Sequence, residues 1–290
     1  MIPGQFDYVR PSSLDEALRI LQEREGEAKV LSGGYSLLPL LKLRLAQPAL
    51  LVDLQAVGGL DAIAQAADGW RIGGRVTHRH IHEHDGLAAQ WPIMRDTAGG
   101  IGDPQVRNWG TIGGSCAHAD PSSDWPAVLQ AMRASFVCRS SGGERTLEAR
   151  GFFTGTFMTE IEPSEVLTEV RLPAAPARTG SAYVKLERRA GDFATVGAAA
   201  VLTLGADGRV EAAGIGLTAV SEAPFAATDA ESALIGSTPT DEAFAAAGSA
   251  AAAQSSPASD SHGPADYKRA MVREITIRAL RKAAARAQGA

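Results

Sequence analysis

The spacing of apolar residues changes several times along this chain, and each change marks an element. Phe6-Asp7-Tyr8-Val9 reads as a short strand that Pro11-Ser12 ends. Ser13 stands three residues before Glu16, the spacing of a capping box. Leu14, Ala17, Leu18 and Leu21 follow at i, i+3, i+4 and i+7, which is the buried stripe of an amphipathic helix. Gly26 closes that helix, and Ala28-Lys29-Val30-Leu31 predicts a buried strand that runs straight into Ser32-Gly33-Gly34-Tyr35-Ser36. The leucines from Ser36 to Leu45 predict a short helix interrupted by Pro39, and Leu50-Leu51-Val52-Asp53 is the next strand. This β–α–β unit has a boundary near Gly58-Gly59.

Strand character returns from Trp70 to Thr77, with Gly73-Gly74 as a bulge or turn. Ile93 to Ile101 reads as a helix ending at Gly99-Gly100, after which Asp103-Pro104 turns the chain into a second Gly-Gly loop, Thr111-Ile112-Gly113-Gly114-Ser115. A helix over 127–134, a strand at Phe136-Val137-Cys138 and a hairpin turn at Gly142-Gly143 come next, with Thr146-Leu147-Glu148 returning. The stretch from Glu165 to Leu172 alternates as a strand, and Pro173-Ala174-Ala175-Pro176 is the best linker in the sequence. Beyond it, 181–186, 196–204 and 210–217 read as strands, the last two joined at Asp207-Gly208. Thr240 caps a helix through about Ala253. Tyr267, Met271, Ile275 and Ala279 then mark a last amphipathic helix with a basic outer face of Lys268, Arg269, Arg273, Arg278, Arg281 and Lys282. That face reads as solvated, with a docking surface for a partner as the alternative.

Length, charge and cysteine content narrow the function. At 290 residues the chain can hold two modest domains, and a net charge of −5 offers no basic face to nucleic acid. The N-terminus lacks the charged and apolar regions of a signal peptide, and no apolar run is long enough to span a bilayer. The two cysteines, Cys116 and Cys138, are too few for an iron–sulfur cluster, which takes about four. A redox role would therefore route electrons through another chain.

The candidate chemistry lies in the two Gly-Gly loops. Glycine reaches positive φ cheaply and lets a ligand approach the backbone, so two such loops could hold the ends of one pyrophosphate. A helix starting after Ser36 would add its dipole there. Taken singly, either loop is an ordinary turn. His78, His80, His82 and His84 alternate, but no carboxylate-rich segment accompanies them, and they read as a polar loop and helix start. His118 and Asp120 resemble a metal pair, yet two ligands do not make a site. The chain has no ATP-type P-loop, no Rossmann Gly-x-Gly-x-x-Gly after its first strand and no Gly-x-Ser-x-Gly elbow. Any chemistry must come from a cofactor.

Ser32-Gly33-Gly34-Tyr35-Ser36-Leu37-Leu38-Pro39 with Lys42-Leu43-Arg44, and the run Arg107-Asn108-Trp109-Gly110-Thr111-Ile112-Gly113-Gly114-Ser115-Cys116-Ala117-His118-Ala119-Asp120-Pro121, resemble two FAD-binding signatures. They are those of the flavoprotein (medium) subunit of the molybdenum hydroxylases. Tyr183, Lys185, Arg188 and Asp192-Phe193-Ala194 resemble a third signature, and the resemblance spans the whole chain. It is most like the aerobic carbon monoxide dehydrogenase branch, with aldehyde, purine and N-heterocycle hydroxylases as alternatives.

The resemblance implies an α+β fold. A vanillyl-alcohol-oxidase/PCMH-type FAD-binding domain over 1–175, with subdomains of about 1–58 and 59–175, precedes a C-terminal domain over 177–290 with an antiparallel sheet and a helical bundle. It places FAD against Lys29, Val30, Leu31, Ser32, Gly33, Gly34, Tyr35, Ser36 and Leu37 from the first loop, and against Thr111, Ile112, Gly113, Gly114, Ser115, His118 and Asp120 from the second. Ile101, Asp124, Leu167 (or Val166) and Lys185 line the rest. N–H groups of Ser32 to Ser36 and of Thr111 to Ser115 are expected on the pyrophosphate and ribityl region, and no side chain is a chemical catalyst. For Lys185 the plain alternative is an exposed strand lysine. Ser32, Tyr35 and Cys116 depart from the usual pattern, and all three are expected beside the flavin.

Implied partners are a large subunit with the molybdenum cofactor and a small subunit with two [2Fe–2S] clusters, in a dimer of heterotrimers. Electrons would pass to an external acceptor of quinone or NAD type. The implied location is the cytoplasm, or the inner face of the membrane through the complex. Two other classes compete: a self-contained flavin oxidoreductase, and a noncatalytic scaffold that kept the fold and lost the flavin.

Overall fold

The computed structural model describes residues 2–289. Its first sheet is parallel because a helix separates each strand from the next: β1 (Asp7–Val9), α1 (Leu14–Glu23), β2 (Ala28–Leu31), α2 (Leu37–Lys42) and β3 (Leu50–Asp53). The order is β1-β3-β2. Central β3 is wholly buried, whereas β2, expected to be buried, lies at an edge with Lys29 exposed. Ser13 caps α1 through its hydroxyl, but the Glu16 carboxylate reaches one residue further back than a capping box requires. It accepts from the N–H and hydroxyl of Ser12. Pro39 does not interrupt α2, because as the third helical residue it needs no N–H partner.

The second sheet is antiparallel. Its run of elements is β4 (Ile63–Ala66), β5 (Gly69–Gly73), α3 (His78–Glu83), α4 (Asp85–Gln90), α5 (Pro92–Gly99), α6 (Pro104–Trp109), α7 (Ile112–His118), α8 (Asp124–Ala131), β6 (Ser135–Ser140), β7 (Gly143–Glu148), the small β8 (Phe153–Gly155) and β9 (Met158–Thr159) pair, and β10 (Val166–Pro173). Its strand order is β4-β5-β10-β6-β7, so the last strand in sequence fills the middle. A bulge between Leu167 and Glu169 breaks the alternation of β10 and leaves Val166, Leu167 and Thr168 all buried. Trp70, Ile72, Trp125, Phe136 and Phe152 form the core between this sheet and its helices.

The third sheet holds β11 (Thr179–Leu186), β12 (Val196–Leu204), β13 (Val210–Thr218) and β14 (Phe225–Ala226), antiparallel in that order. It is followed by α9 (Thr228–Leu234), α10 (Asp241–Gln254) and α11 (Ala265–Ala287). Every residue of β12 is buried because helices cover both faces of the sheet. A Cβ on Gly214 would stand 2.0 Å from the Ala131 carbonyl of α8, and one on Gly180 would stand 2.0 Å from the Ala283 carbonyl of α11. These glycines let helix and strand backbones touch.

The buried stripe of α11 keeps the expected Ile275 and Ala279, with Met271 half-buried against the core, but runs wider than expected. Tyr267 is exposed, while Val272, Ile275, Ala279 and Ala283 face the core. Lys268, expected on the outer face, is buried with its ammonium 2.6 Å from Asp260. Arg269, Arg273, Arg281 and Lys282 each pair with a carboxylate. Among the described residues no helix is long and apolar enough to cross a membrane.

Candidate functional site

Thr111 joins the two glycine loops. As the cap of α7 it accepts from the Gly114 N–H at 3.0 Å, and its hydroxyl lies 3.1 Å from the Ser32 hydroxyl. Glycine is needed here because backbones meet. A Cβ on Gly33, whose φ is +81°, would fall 2.2 Å from the Trp109 carbonyl. One on Gly114 would fall 2.7 Å from Thr111 Oγ1, and one on Gly113 would fall 2.5 Å from the Gly74 carbonyl. Gly74 in turn rests on the Leu167 carbonyl, at 2.3 Å from its own missing Cβ. Leu167 therefore lies beneath the second loop as its support, buried in the sheet opposite Cys138.

The backbone donors of the two loops differ. Ile112 donates to the Val76 carbonyl, Gly113 to Gly74 and Ser115 to Thr111, each at 3.0 Å. With Gly114 bonded to Thr111, four of the N–H groups expected on a ligand from the second loop are already satisfied within the chain. The reason is the helix: Ile112 to Ser115 is the first turn of α7, docked on the Gly74–Val76 segment, where an open loop was expected. In the first loop, among the described residues, no acceptor takes the N–H groups of Gly33, Gly34, Tyr35 or Ser36. Four consecutive open donors at the meeting of two loops fit a phosphate group of a dinucleotide.

A buried charged cluster lies at the other end of the site, between the second and third sheets. The Lys185 ammonium of β11 donates to the carbonyls of Gly100 at 2.7 Å and Asp192 at 3.0 Å, and to Asp124 Oδ2 at 3.3 Å. Glu187 Oε2 is 3.2 Å away. The Lys185 side chain is only 7% exposed, which removes the reading of a solvated strand lysine. The Tyr183 hydroxyl donates to Asp124 Oδ1 at 2.5 Å. It has room because Gly197 sits opposite, where a Cβ would fall 2.3 Å from that oxygen. Burial pushes the Asp124 carboxyl above its ordinary value, against the opposing pull of Lys185 and the Tyr183 hydroxyl. Burial first, and then the Asp124 charge, raises the Tyr183 phenol well above its own. Arg107 fixes the adjoining loop by donating to the carbonyls of Ile101 at 3.0 Å and Gly102 at 2.8 Å.

Hydroxyls connect the two ends. Ser115 Oγ is 2.7 Å from Ser123 Oγ, one residue before Asp124, and Thr218 of β13 donates to the Ser123 carbonyl at 2.7 Å. Ser32 after β2, Thr111 at the cap of α7 and Ser115 within it, Ser123 and Asp124 at the start of α8 and Lys185 of β11 thus follow one another through these contacts and the chain itself. His118 ends α7, its ring 5.0 Å from that of exposed Phe157. Burial holds its imidazole below the usual range, with Lys29 pulling the same way and Asp120 opposing. Asp120 folds the next turn by accepting from the Ser122 N–H at 2.8 Å. Val30 and Leu31 are half-buried behind the first loop, and Leu37 opens α2.

Of the three unusual residues, Ser32 is in the junction and Tyr35 is exposed beside it. Cys116 is not at the surface of the site. It is fully buried in the core on the inner side of α7, and burial drives its thiol pKa upward. Sequence reasoning assigned no role to His78, Glu187 or the Tyr183 hydroxyl. Tyr183 could be read from its signature, whereas Glu187 becomes notable only when the turn after β11 places it beside Lys185. Among the described residues, no three of His, Cys, Asp and Glu gather as a metal site.

The family described as the FAD binding domain in molybdopterin dehydrogenase matches residues 4–175, and the CO dehydrogenase flavoprotein C-terminal domain matches residues 181–283. The chain is 42% identical to the carbon monoxide dehydrogenase medium chain of Afipia carboxidovorans, over 99% of this chain and 100% of that one. It is 37% identical to the alpha subunit of the 6-hydroxypseudooxynicotine dehydrogenase complex of Paenarthrobacter nicotinovorans, over 99% and 97%. A solved structure of reconstituted CO dehydrogenase from Oligotropha carboxidovorans superposes with a TM-score of 0.96 at 42% identity, covering 99% of this chain and 100% of that one. The chain therefore belongs to the FAD-binding medium subunits of the molybdenum hydroxylases and is most like that of carbon monoxide dehydrogenase.

Proposed function

We propose that this chain carries electrons within a molybdenum-containing hydroxylase, from [2Fe–2S] clusters of a small subunit, through FAD bound here, to an external acceptor. The observation that carries the reading is the row of open N–H groups from Gly33 to Ser36, placed where the two glycine loops meet. Bound FAD would supply reversible two-electron storage. The Ser32–Ser36 backbone would hold the pyrophosphate, with Lys29, Val30, Leu31 and Leu37 behind it. Thr111 to Ser115 would form the opposing wall, and Gly113 and Gly114 would offer bare backbone there. His118 and Asp120 would close one flank, and Leu167 would support the floor. At the ring end stand Ile101, Asp124 and Lys185. The division into an FAD-binding part over 1–175 and a C-terminal part over 177–290 belongs to the same reading, with the cofactor against both.

Both cysteines are buried in the core, so this chain has no thiolates for a cluster and a partner must hold it. A large subunit with the molybdenum cofactor completes the assembly, a dimer of heterotrimers. Similarity to carbon monoxide dehydrogenase supports carbon monoxide as that subunit's substrate, with N-heterocycles and aldehydes next. The acceptor is of quinone or NAD type.

The test is an absorption spectrum of the complex purified from its own host, with the co-purifying chains identified. Flavin bands, iron–sulfur absorbance and two partner chains are the expected result, followed by reduction on adding carbon monoxide. A chain that purifies alone with flavin and turns over a substrate would replace this reading with a self-contained oxidoreductase. A chain that takes up no FAD would overturn it.

A further inference from the structure

Lys185 faces more negative charge than it can neutralise. One ammonium stands between two carboxylates, Asp124 Oδ2 at 3.3 Å and Glu187 Oε2 at 3.2 Å, and it also donates to the Gly100 and Asp192 carbonyls. Glu187 Oε2 is buried and makes no hydrogen bond, although the side chain as a whole is 25% exposed and so reaches water. Two ionised carboxylates around one ammonium leave a net negative charge in a site that burial makes costly. Asp124, whose carboxyl is already pushed above its ordinary value by burial, is the group that can remove it by taking a proton.

The surrounding charges leave that conclusion in place. From β11 come Tyr183 and Lys185, from the residue just after it Glu187, and from α8 Asp124. The turn after β11 brings Asp192, already paired with Arg188 at 3.7 Å. Arg107 of α6 is spent on the carbonyls of the Ile101–Gly102 loop. His78 of α3 lies behind Trp125, with burial holding its pKa at about 3, so it stays neutral.

We infer that Tyr183 and Glu187 are positioning residues for the flavin end of the site: they aim Lys185, and the Tyr183 hydroxyl and the Glu187 charge set how readily the buried Asp124 carboxyl takes a proton. The inference rests on the reading of this chain as the FAD-binding subunit. As electrons arrive from the reduced partner clusters, negative charge grows beside Asp124, and its carboxylate takes one proton from a hydronium ion of the solvent. One O–H bond of the hydronium breaks as the carboxyl O–H forms, leaving water, and the transfer reverses when the electrons leave. Tyr183 sets where this happens on the pH scale, because its hydroxyl stabilises the ionised form of Asp124.

The experiment is a spectroelectrochemical titration of the flavin in the purified complex from pH 6 to 9, with FAD content measured beforehand. Wild type is expected to show a segment in which the midpoint potential falls more steeply with pH. Glu187→Gln is expected to raise the potential and to lose that segment. Tyr183→Phe is expected to keep the segment and move it to higher pH, and Glu187→Asp to restore it. Potentials of Glu187→Gln and Tyr183→Phe that match wild type at every pH would overturn the inference. So would loss of FAD or failure to assemble in both variants, which would assign the cluster to joining the two sheets. Wild-type complex without flavin would instead defeat the underlying functional reading.

Discussion

The indole N–H of Trp125 donates to Nδ1 of His78 at 3.1 Å in the core, one residue from Asp124 and directly behind Gly110 of the second glycine loop. His78 is neutral because burial, with a smaller push from Arg107, lowers its pKa from 6.5 to about 3. The unfolded chain takes up a proton at this residue near pH 6.5, whereas the folded chain does so only near pH 3. Stability from this site is therefore complete above pH 6.5 and is lost progressively down to about pH 3. His78→Leu is expected to cost about 1–3 kcal/mol at pH 7.5, because it strands the indole donor. The deficit relative to wild type should shrink steadily as the pH falls to 5. Denaturant melts at several pH values check this, and a deficit independent of pH would refute it.

Much of this architecture was legible in the sequence, and the parts that were not share a cause. Sequence patterns located α1 by its buried stripe, β3 and the long strands of the third sheet by their apolar runs, and the Gly142 hairpin by its turn residues. The hairpin β4–β5 was missed although Asp68-Gly69 marks its turn, since Ile63–Ala66 buries too little to show a pattern. The second glycine loop was the larger misreading. Gly113 and Gly114 suggested an open anion cradle, yet they are the first turn of a helix and are small because Gly74 and Ser32 lie against them. A local pattern cannot reveal which distant backbone a glycine must touch. The same limit hid Glu187, an ordinary glutamate just past a strand until folding sets it beside Lys185.

Gly33→Ala places a methyl group 2.2 Å from the Trp109 carbonyl at a φ of +81°, so the first loop must withdraw from the second. Bound FAD is expected to fall at least tenfold relative to wild type. Gly58→Ala is the control, with a negative φ and no atom within 4 Å of the added carbon, and should keep full FAD content. The flavin-to-protein absorbance ratio of the two purified complexes decides. Equal ratios would show that loop contact is not what shapes the site.

Thr111→Val removes the acceptor for the Gly114 N–H and the hydroxyl partner of Ser32 while keeping the shape of the side chain. Loss of a helix cap of this kind costs about 1 kcal/mol. Because the cap is also the junction of the two loops, FAD affinity should fall more than stability does. Fluorescence titration of FAD into the apo complex, beside a thermal melt, separates the two effects. An unchanged affinity with a lowered melting point would confine Thr111 to capping.

Arg150 donates two hydrogen bonds to Glu231, at 3.0 and 2.5 Å, and joins the second sheet's end to α9. Glu231 is buried, with its Oε1 also accepting from the Ile215 N–H at 2.8 Å. Arg150→Met leaves that carboxylate buried with the Ile215 N–H and, as its remaining cation among the described residues, Arg133 at 3.6 Å. Breaking a buried pair from one side costs about 3–5 kcal/mol. The double variant Arg150→Met with Glu231→Gln should recover part of the loss, because it removes the stranded charge. Equal stabilities of the single and double variants would mean the carboxylate finds another partner.

Asp96 on α5 binds the last helix, with its oxygens 2.6 and 3.1 Å from the Arg286 guanidinium and 3.0 Å from the Lys282 ammonium. Burial opposes ionisation there, but hydrogen bonds from Arg286 and Lys282 outweigh it and hold the carboxyl below its ordinary value of 3.8. A depressed carboxyl adds stability that is complete above the unfolded value and disappears as the pH falls through the folded one. The clasp should therefore be constant from pH 6 to 8 and loosen only in acid below 3.8. Asp96→Asn is expected to cost about 1–3 kcal/mol across the neutral range, and to match wild type only in strong acid. Because Asp96 lies one turn before the Gly99–Ile101 loop that Lys185 holds, loosening α5 should also speed release of FAD. Stopped-flow release at pH 7 measures that directly, and a rate equal to wild type would mean that α5 and its loop keep their place without the last helix.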